Sequence, residues 1–230
     1  MKDKIKVTQP IRMCVLTLTI FFVCTAMSFA EEMPNGLKIA FIGDQGASGE
    51  KKAAEVLQLI KDEGADVVVH QGDLDYKHDP EAWDALVNDV LGDTFPYFAS
   101  AGNHDIRMWD GYQKVLEDRA RRIGVSWDGQ LGVKSSLTYK GVFIVLIAPD
   151  VFETGHGDYI REQLEGDNSV WRICSWHKNM RPMQAGGKSS ETGWDVYEEA
   201  RRGGAIVATG HEHTYSRTHL LSDIASRTVA

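Results

Sequence analysis

The chain has 230 residues, of which 25% are charged, a size and balance that suit one globular domain. Its formal charge is −8. Four Lys/Arg and one Asp fall in residues 1–30, so the remainder carries 21 basic against 32 acidic residues, a charge of −11. That excess argues against nucleic acid as a general partner, since such binding depends on neutralising phosphates with Lys and Arg.

Residues 1–30 read as a signal peptide. Lys2, Lys4, Lys6 and Arg12 form a basic start, Cys14 to Val23 is apolar apart from threonines, and Ser28-Phe29-Ala30 offers small residues for cleavage after Ala30. The apolar run is short for a membrane span of roughly 20 residues. A secreted or periplasmic protein with no stable span after cleavage is expected. Cys24 lacks the residues that precede a lipid-modified cysteine. Beyond residue 30 only Cys174 remains, so no internal disulfide can form there.

From Leu37 onward strands and helices alternate. Leu37 to Ile42 reads as a buried strand stopped by Gly43, and Ser48 to Glu63 as a helix with Ala53, Val56, Leu57 and Ile60 at helical spacing. Ala65 to Val69 is a second strand, Pro80 to Leu91 a helix, Pro96 to Ala99 a brief strand and Tyr112 to Ile123 a helix. Ser136 to Lys140 and Val142 to Ala148 then read as an antiparallel hairpin hinged at Gly141. They are followed by a helix at Tyr159 to Glu165 and a strand at Val170 to Trp176. Met183 to Gly193 is a Gly/Ser-rich loop, Trp194 to Arg202 a helix and Ala205 to Ala208 the last strand, with no clear element after Thr218.

Chemistry-bearing residues stand just beyond the ends of five of these strands, the edge where ligand sites form in open α/β sheets. Asp44 lies in Gly43-Asp44-Gln45-Gly46, where flanking glycines let the backbone turn sharply. Asp73 lies in Gly72-Asp73-Leu74-Asp75-Tyr76; a carboxylate there can bridge two cations, and the phenol of Tyr76 can turn back as a hard ligand. Asn103 offers a neutral amide oxygen. His104 beside it could act as proton donor, with Asp105 fixing its tautomer. His177 ends its strand as a further imidazole, and His211 and His213 lie in Gly210-His211-Glu212-His213. Imidazole suits zinc, iron, copper and nickel. Any one of these motifs could be an ordinary turn or surface residue; the argument lies in their repeated placement.

The five motifs in this order resemble the calcineurin-like metallophosphoesterases, and within them the purple acid phosphatases. The family pattern runs Asp-x-Gly or Asp-x-His, Gly-Asp with a following Tyr, Gly-Asn-His-Asp/Glu, a lone His, then Gly-His-x-His. The resemblance implies a four-layer α/β/β/α sandwich, an α/β fold with two mixed β-sheets, over residues 31–230. It also implies two metal ions. One would be held by Asp44, Asp73, Tyr76 and His213, the other by Asp73, Asn103, His177 and His211, with Asp73 bridging. Gly46 where many relatives have His, together with Tyr76, is the purple acid phosphatase pattern and implies Fe(III) paired with Fe(II), Zn or Mn.

The implied activity is hydrolysis of small phosphate monoesters by attack of a metal-bridging hydroxide, with His104 protonating the leaving oxygen. A phosphodiesterase or nucleotidase of the same superfamily is the alternative, and a non-catalytic metal-binding protein a more distant one. The family's extra histidines after the lone His are missing here, where Lys178 or Arg181 could hold phosphate instead. The chain also ends sooner after Gly-His-x-His than family domains commonly do, so a truncated C-terminus is expected. Gly186-Gly187-Lys188-Ser189 imitates the end of a P-loop, but no strand leads into it and it reads as a flexible loop. His70 reads as a strand histidine near the site. His78, His156 and His219 read as surface residues.

Overall fold

The protein's structure, a computed structural model, describes residues 36–230 apart from residue 225. The signal peptide expected over residues 1–30 lies outside the described residues. The first half builds β1 (Ile39–Ile42), α1 (Glu50–Asp62), β2 (Val67–His70), α2 (Pro80–Leu91) and β3 (Tyr97–Ala99). These strands form a three-stranded sheet in the order β1-β2-β3, parallel throughout. Val67, Val68 and Val69 of β2 are all fully buried, as a central strand covered on both faces requires. Burial of each such side chain contributes roughly 1.5–3 kcal/mol. β3 shows what covers each face: Tyr97 meets Trp83 of α2 edge-on at 5.5 Å, and Phe98 meets Tyr139 of the other sheet at 5.6 Å.

The second half builds α3 (Trp109–Arg122), β4 (Trp127–Gln130), β5 (Lys134–Tyr139), β6 (Val142–Ile147), α4 (His156–Glu165), β7 (Trp171–Trp176), α5 (Asp195–Arg202) and β8 (Ile206–Thr209). They give a five-stranded sheet in the order β4-β5-β6-β7-β8, antiparallel through β6 and parallel from β6 to β8. The mixed character therefore resides in this sheet. Alternation along β6 divides the two cores. Val142, Ile144 and Leu146 join the core between the sheets, with α1 to α3 on its far side; Val145 and Ile147 join Ile160 and Leu164 of α4 and Val196, Tyr197 and Ala200 of α5. The layers run helix, sheet, sheet, helix, as the family resemblance implies.

Differences from the sequence reading have local causes. β4 was not expected because Trp127-Asp128-Gly129-Gln130 has no apolar run; it pairs antiparallel with β5, which itself begins at Lys134. α3 begins at Trp109, earlier than Tyr112, through Gly111. A Cβ at Gly111 would lie 2.8 Å from the Pro80 ring, so the glycine marks a close helix approach and not a break. The tail folds back as a small hairpin of β9 (Leu221–Asp223) and β10 (Thr228–Val229). His156 starts α4 and is buried, with Nε2 2.8 Å from the Phe152 carbonyl, and is not a surface residue. No described helix is long and apolar enough to cross a membrane.

Candidate metal centre

Five strands deliver the expected residues to one edge: β1 leads to Asp44, β2 to Asp73, β3 to Asn103 and His104, β7 to His177, and β8 to His211 and His213. Three contacts fix that edge, the first two running from one sheet to the other and the third joining β7 to β8. The backbone N–H of His211 donates to Asp44 Oδ2 (2.8 Å), the His177 ring pairs through Nδ1 with the Gln71 carbonyl (2.7 Å), and Gly210 N–H donates to the His177 carbonyl (3.0 Å). Asp44, Asp73, His211 and His213 all have left-handed backbones, with φ of 56°, 56°, 78° and 51°. Non-glycine residues rarely hold that conformation, and it persists at functional sites where the surroundings over-determine it. Two glycines make the crowding possible. A Cβ at Gly72 (φ 81°) would lie 2.7 Å from Gly102 N, and one at Gly102 would lie 2.2 Å from both N and Oδ1 of Asp73.

Two groups of side chains meet across Asp73. On one side Tyr76 Oη lies 3.3 Å from Asp44 Oδ1, 3.3 Å from Asp73 Oδ2 and 2.9 Å from His213 Nε2, and His213 Nε2 lies 3.4 Å from Asp44 Oδ1. On the other side His177 Nε2 lies 3.3 Å from Asp73 Oδ2, 3.1 Å from Asn103 Oδ1 and 3.0 Å from His211 Nδ1. The same oxygen, Asp73 Oδ2, stands in both groups.

The electrostatics fit cations at both places. With Nδ1–H of His177 directed at the Gln71 carbonyl, its Nε2 presents a lone pair, and that lone pair faces an amide oxygen, a carboxylate oxygen and another imidazole nitrogen. Acceptors gathered without a donor repel one another unless a proton or a metal cation sits among them. Asp73, His177 and His211 are all buried, and their ligand atoms lie within 4.8 Å of one another. Burial disfavours the charge on Asp73, yet with no cation present a proton on His177 and the His104 N–H outweigh it and hold the carboxyl down at about 2. For Tyr76, burial and then the charges of Asp44 and Asp73 push the phenol well above its ordinary range, so it bears a negative charge only beside a cation.

His104 projects at the mouth of this site with its ring tilted against Tyr76 at 4.6 Å, while its backbone N–H donates to Asp73 Oδ1 (2.9 Å). The expectation that Asp105 fixes the His104 ring is corrected. The Asp105 carboxylate is fully buried and turned the other way, accepting from the backbone N–H groups of Gly102 (2.7 Å), Leu74 (2.8 Å) and Asp73 (2.9 Å). Burial pushes its pKa up to about 7, against the pull of those donors. It ties the Asp73 loop to the Asn103 loop. Lys178 is also spoken for: its ammonium lies 2.7 Å from Asp150 Oδ2 and 3.4 Å from Glu191 Oε1. His78, read as a surface residue, is half-buried with its ring nearly parallel to His104 at 6.5 Å.

Other residues at the site carried no motif. The Gln71 carbonyl that orients His177 is a backbone group, invisible to residue type. Asn179 donates through Nδ2 to the Gly210 carbonyl (2.6 Å) and accepts from the Tyr197 hydroxyl (3.1 Å), steadying the histidine loop from below. The Gly/Ser-rich stretch is fastened to that same loop and not free: Glu212 accepts from Gly187 N–H (3.1 Å) and Lys188 N–H (2.8 Å).

Residues 37–215 match the family described as calcineurin-like phosphoesterase, and the chain belongs to that family. Its fold is similar to that of the purple acid phosphatase PPD1 from yellow lupin (Lupinus luteus) seeds, at 18% identity and a TM-score of 0.59, over 79% of this chain and 38% of the lupin chain. It is also similar to the structure of PhoD, at 11% identity and a TM-score of 0.51, over 83% of this chain and 54% of that one. The chain thus spans well under two thirds of either neighbour. No curated protein matches it.

Proposed function

We propose that this chain is an exported hydrolase of small phosphate monoesters that works with two metal ions, in the manner of a purple acid phosphatase. The observation that carries the reading is Asp73 Oδ2 standing 3.3 Å from both Tyr76 Oη and His177 Nε2, one oxygen common to two ligand groups. Asp44, Asp73, Tyr76 and His213 would hold one ion; Asp73, Asn103, His177 and His211 would hold the other. Tyr76 as a phenolate favours Fe(III) in the first place, with Fe(II), Zn or Mn in the second. When bound, the two ions supply a water-derived nucleophile at neutral pH and neutralise charge developing on the phosphoryl oxygens.

The chain's own groups do the rest. His104 stands at the mouth, free to place a proton on the departing alkoxide oxygen, and the Tyr76 ring 4.6 Å away limits its swing. Asp105 keeps Asp73 and Asn103 in fixed relation through its three backbone contacts. The buried imidazoles of His177 and His211 hold water away from the inner side of the site.

The test is hydrolysis of one aryl phosphate monoester and its matching diester by the full chain reconstituted with iron and zinc or manganese. Faster monoester turnover supports the reading, and diester preference moves it to a phosphodiesterase of the same family. Export rests on residues 1–30: protein recovered outside the cytoplasm should begin at Glu31, and retention of Met1 would contradict cleavage.

A further inference from the structure

Glu191 belongs to no motif and to neither ligand group, yet it is the acid beside the outer nitrogen of His211. Its Oε2 lies 2.9 Å from His211 Nε2. On the opposite side of that ring, Nδ1 lies 3.0 Å from His177 Nε2, where the donors of the second group converge. A neutral imidazole has one N–H and one lone pair, so whatever engages the N–H decides which nitrogen is left to bind a metal. Glu191 Oε2 is shielded from solvent and takes no hydrogen bond among the described residues, so the polar group nearest to it is the His211 ring. As the ring stands, the 2.9 Å approach lies off the axis of the N–H.

The surrounding structure brings Glu191 to this spot. Its own N–H donates to the Asn179 carbonyl (3.0 Å), and its Oε1 lies 3.4 Å from Lys178 Nζ. Upstream, Glu212 takes the N–H groups of Gly187 and Lys188, and the Lys188 ammonium donates to the His211 carbonyl. A side chain at Gly186 would collide with the Glu212 carboxylate, its Cβ falling 1.5 Å from Oε2. The loop that carries Glu191 is thus fastened to the loop that carries His211.

We propose that Glu191 is a positioning residue for the second metal site: it holds His211 by Nε2–H so that the Nδ1 lone pair faces Asp73, Asn103 and His177. This rests on the two-metal reading above. Carboxylates that orient metal-binding imidazoles typically change metal affinity by about 10- to 100-fold when removed.

The experiment is a zinc titration of the metal-free full chain against a competing chelator, with melting of each metal-free variant measured alongside. Glu191→Ala should weaken one of two zinc sites by about 10- to 100-fold and leave the other unchanged. Glu191→Gln, whose amide oxygen still accepts from Nε2–H, should recover most of that loss. Should the alanine variant fail to fold, Glu191→Asp withdraws the carboxylate by one methylene and should still weaken a single site. Wild-type affinity at both sites in the alanine or aspartate variant overturns the positioning role, as does a glutamine variant no better than alanine. Fewer than two zinc ions on the wild-type chain would instead overturn the two-metal reading, which keeps the two failures distinct.

Discussion

Asp105 shows how a residue can matter to a site that its own side chain does not line. Its carboxylate satisfies three buried backbone N–H groups that belong to the Asp73 and Asn103 loops. Asp105→Ala would strand those donors, and each stranded donor costs about 1–3 kcal/mol. The expected result is a lower melting temperature together with loss of bound metal, read by calorimetry and elemental analysis of one sample. His104→Ala should behave in the opposite way, keeping both metals and the fold while losing rate on substrates with poor leaving groups; full speed on an alkyl phosphate would remove His104 from the proton-donor role. At this scale the sequence was most readable where a metal-binding residue type stood beside glycine at a strand end, as at Asp44, Asp73 and His211. It misled where neighbours in sequence were taken for neighbours in space. His104 and Asp105 are adjacent in a tight turn, and their side chains leave it in different directions.

Among elements, helices and buried strands were legible because their period is written in apolar residues, as in α1 with Ala53, Leu57 and Ile60 inside. β4 and the β9–β10 hairpin were not, because polar edge strands owe their form to the neighbour they pair with. Helix-to-helix ties were equally hidden. Arg119 of α3 is almost fully buried; it pairs with Asp84 of α2 at 2.8 Å and donates to the carbonyls of Gly92 and Phe95 in the connection to β3. Breaking a buried pair costs about 3–5 kcal/mol, and with Asp84 22% exposed the lower figure applies. Arg119→Ala should therefore lose about 3 kcal/mol in urea unfolding. A change below 1 kcal/mol would mean that the other contacts of α3 suffice without it.

For the molecule as a whole, the two sheets meet at the edge where the candidate ligands stand, and sensitivity to acid is expected there. His70 ends β2 fully buried, its ring stacked 5.9 Å from Tyr97 and neither ring nitrogen paired among the described residues. Burial, reinforced by His177, pushes its pKa down to about 3. The unfolded chain binds a proton near pH 6.5 that the folded chain refuses until about pH 3. Stability from this group is therefore complete above the unfolded value and falls as pH drops, by up to about 1.4 kcal/mol per unit. Below pH 3.8 Asp73, whose folded pKa is lowered to about 2, adds a further loss. Urea unfolding of metal-free protein at descending pH should show that slope, and His70→Phe should flatten it between about pH 6 and pH 4. An unchanged slope would place the acid sensitivity elsewhere.

The claim on which the account rests is that Asp73 serves two metal ions at once. Elemental analysis of the folded full chain and of Asp73→Ala, each reconstituted with excess metal and then desalted, tests it most directly. The account predicts two ions per wild-type chain and none held by the variant. Two ions retained by a folded Asp73→Ala, or a single ion on the wild type, would contradict it.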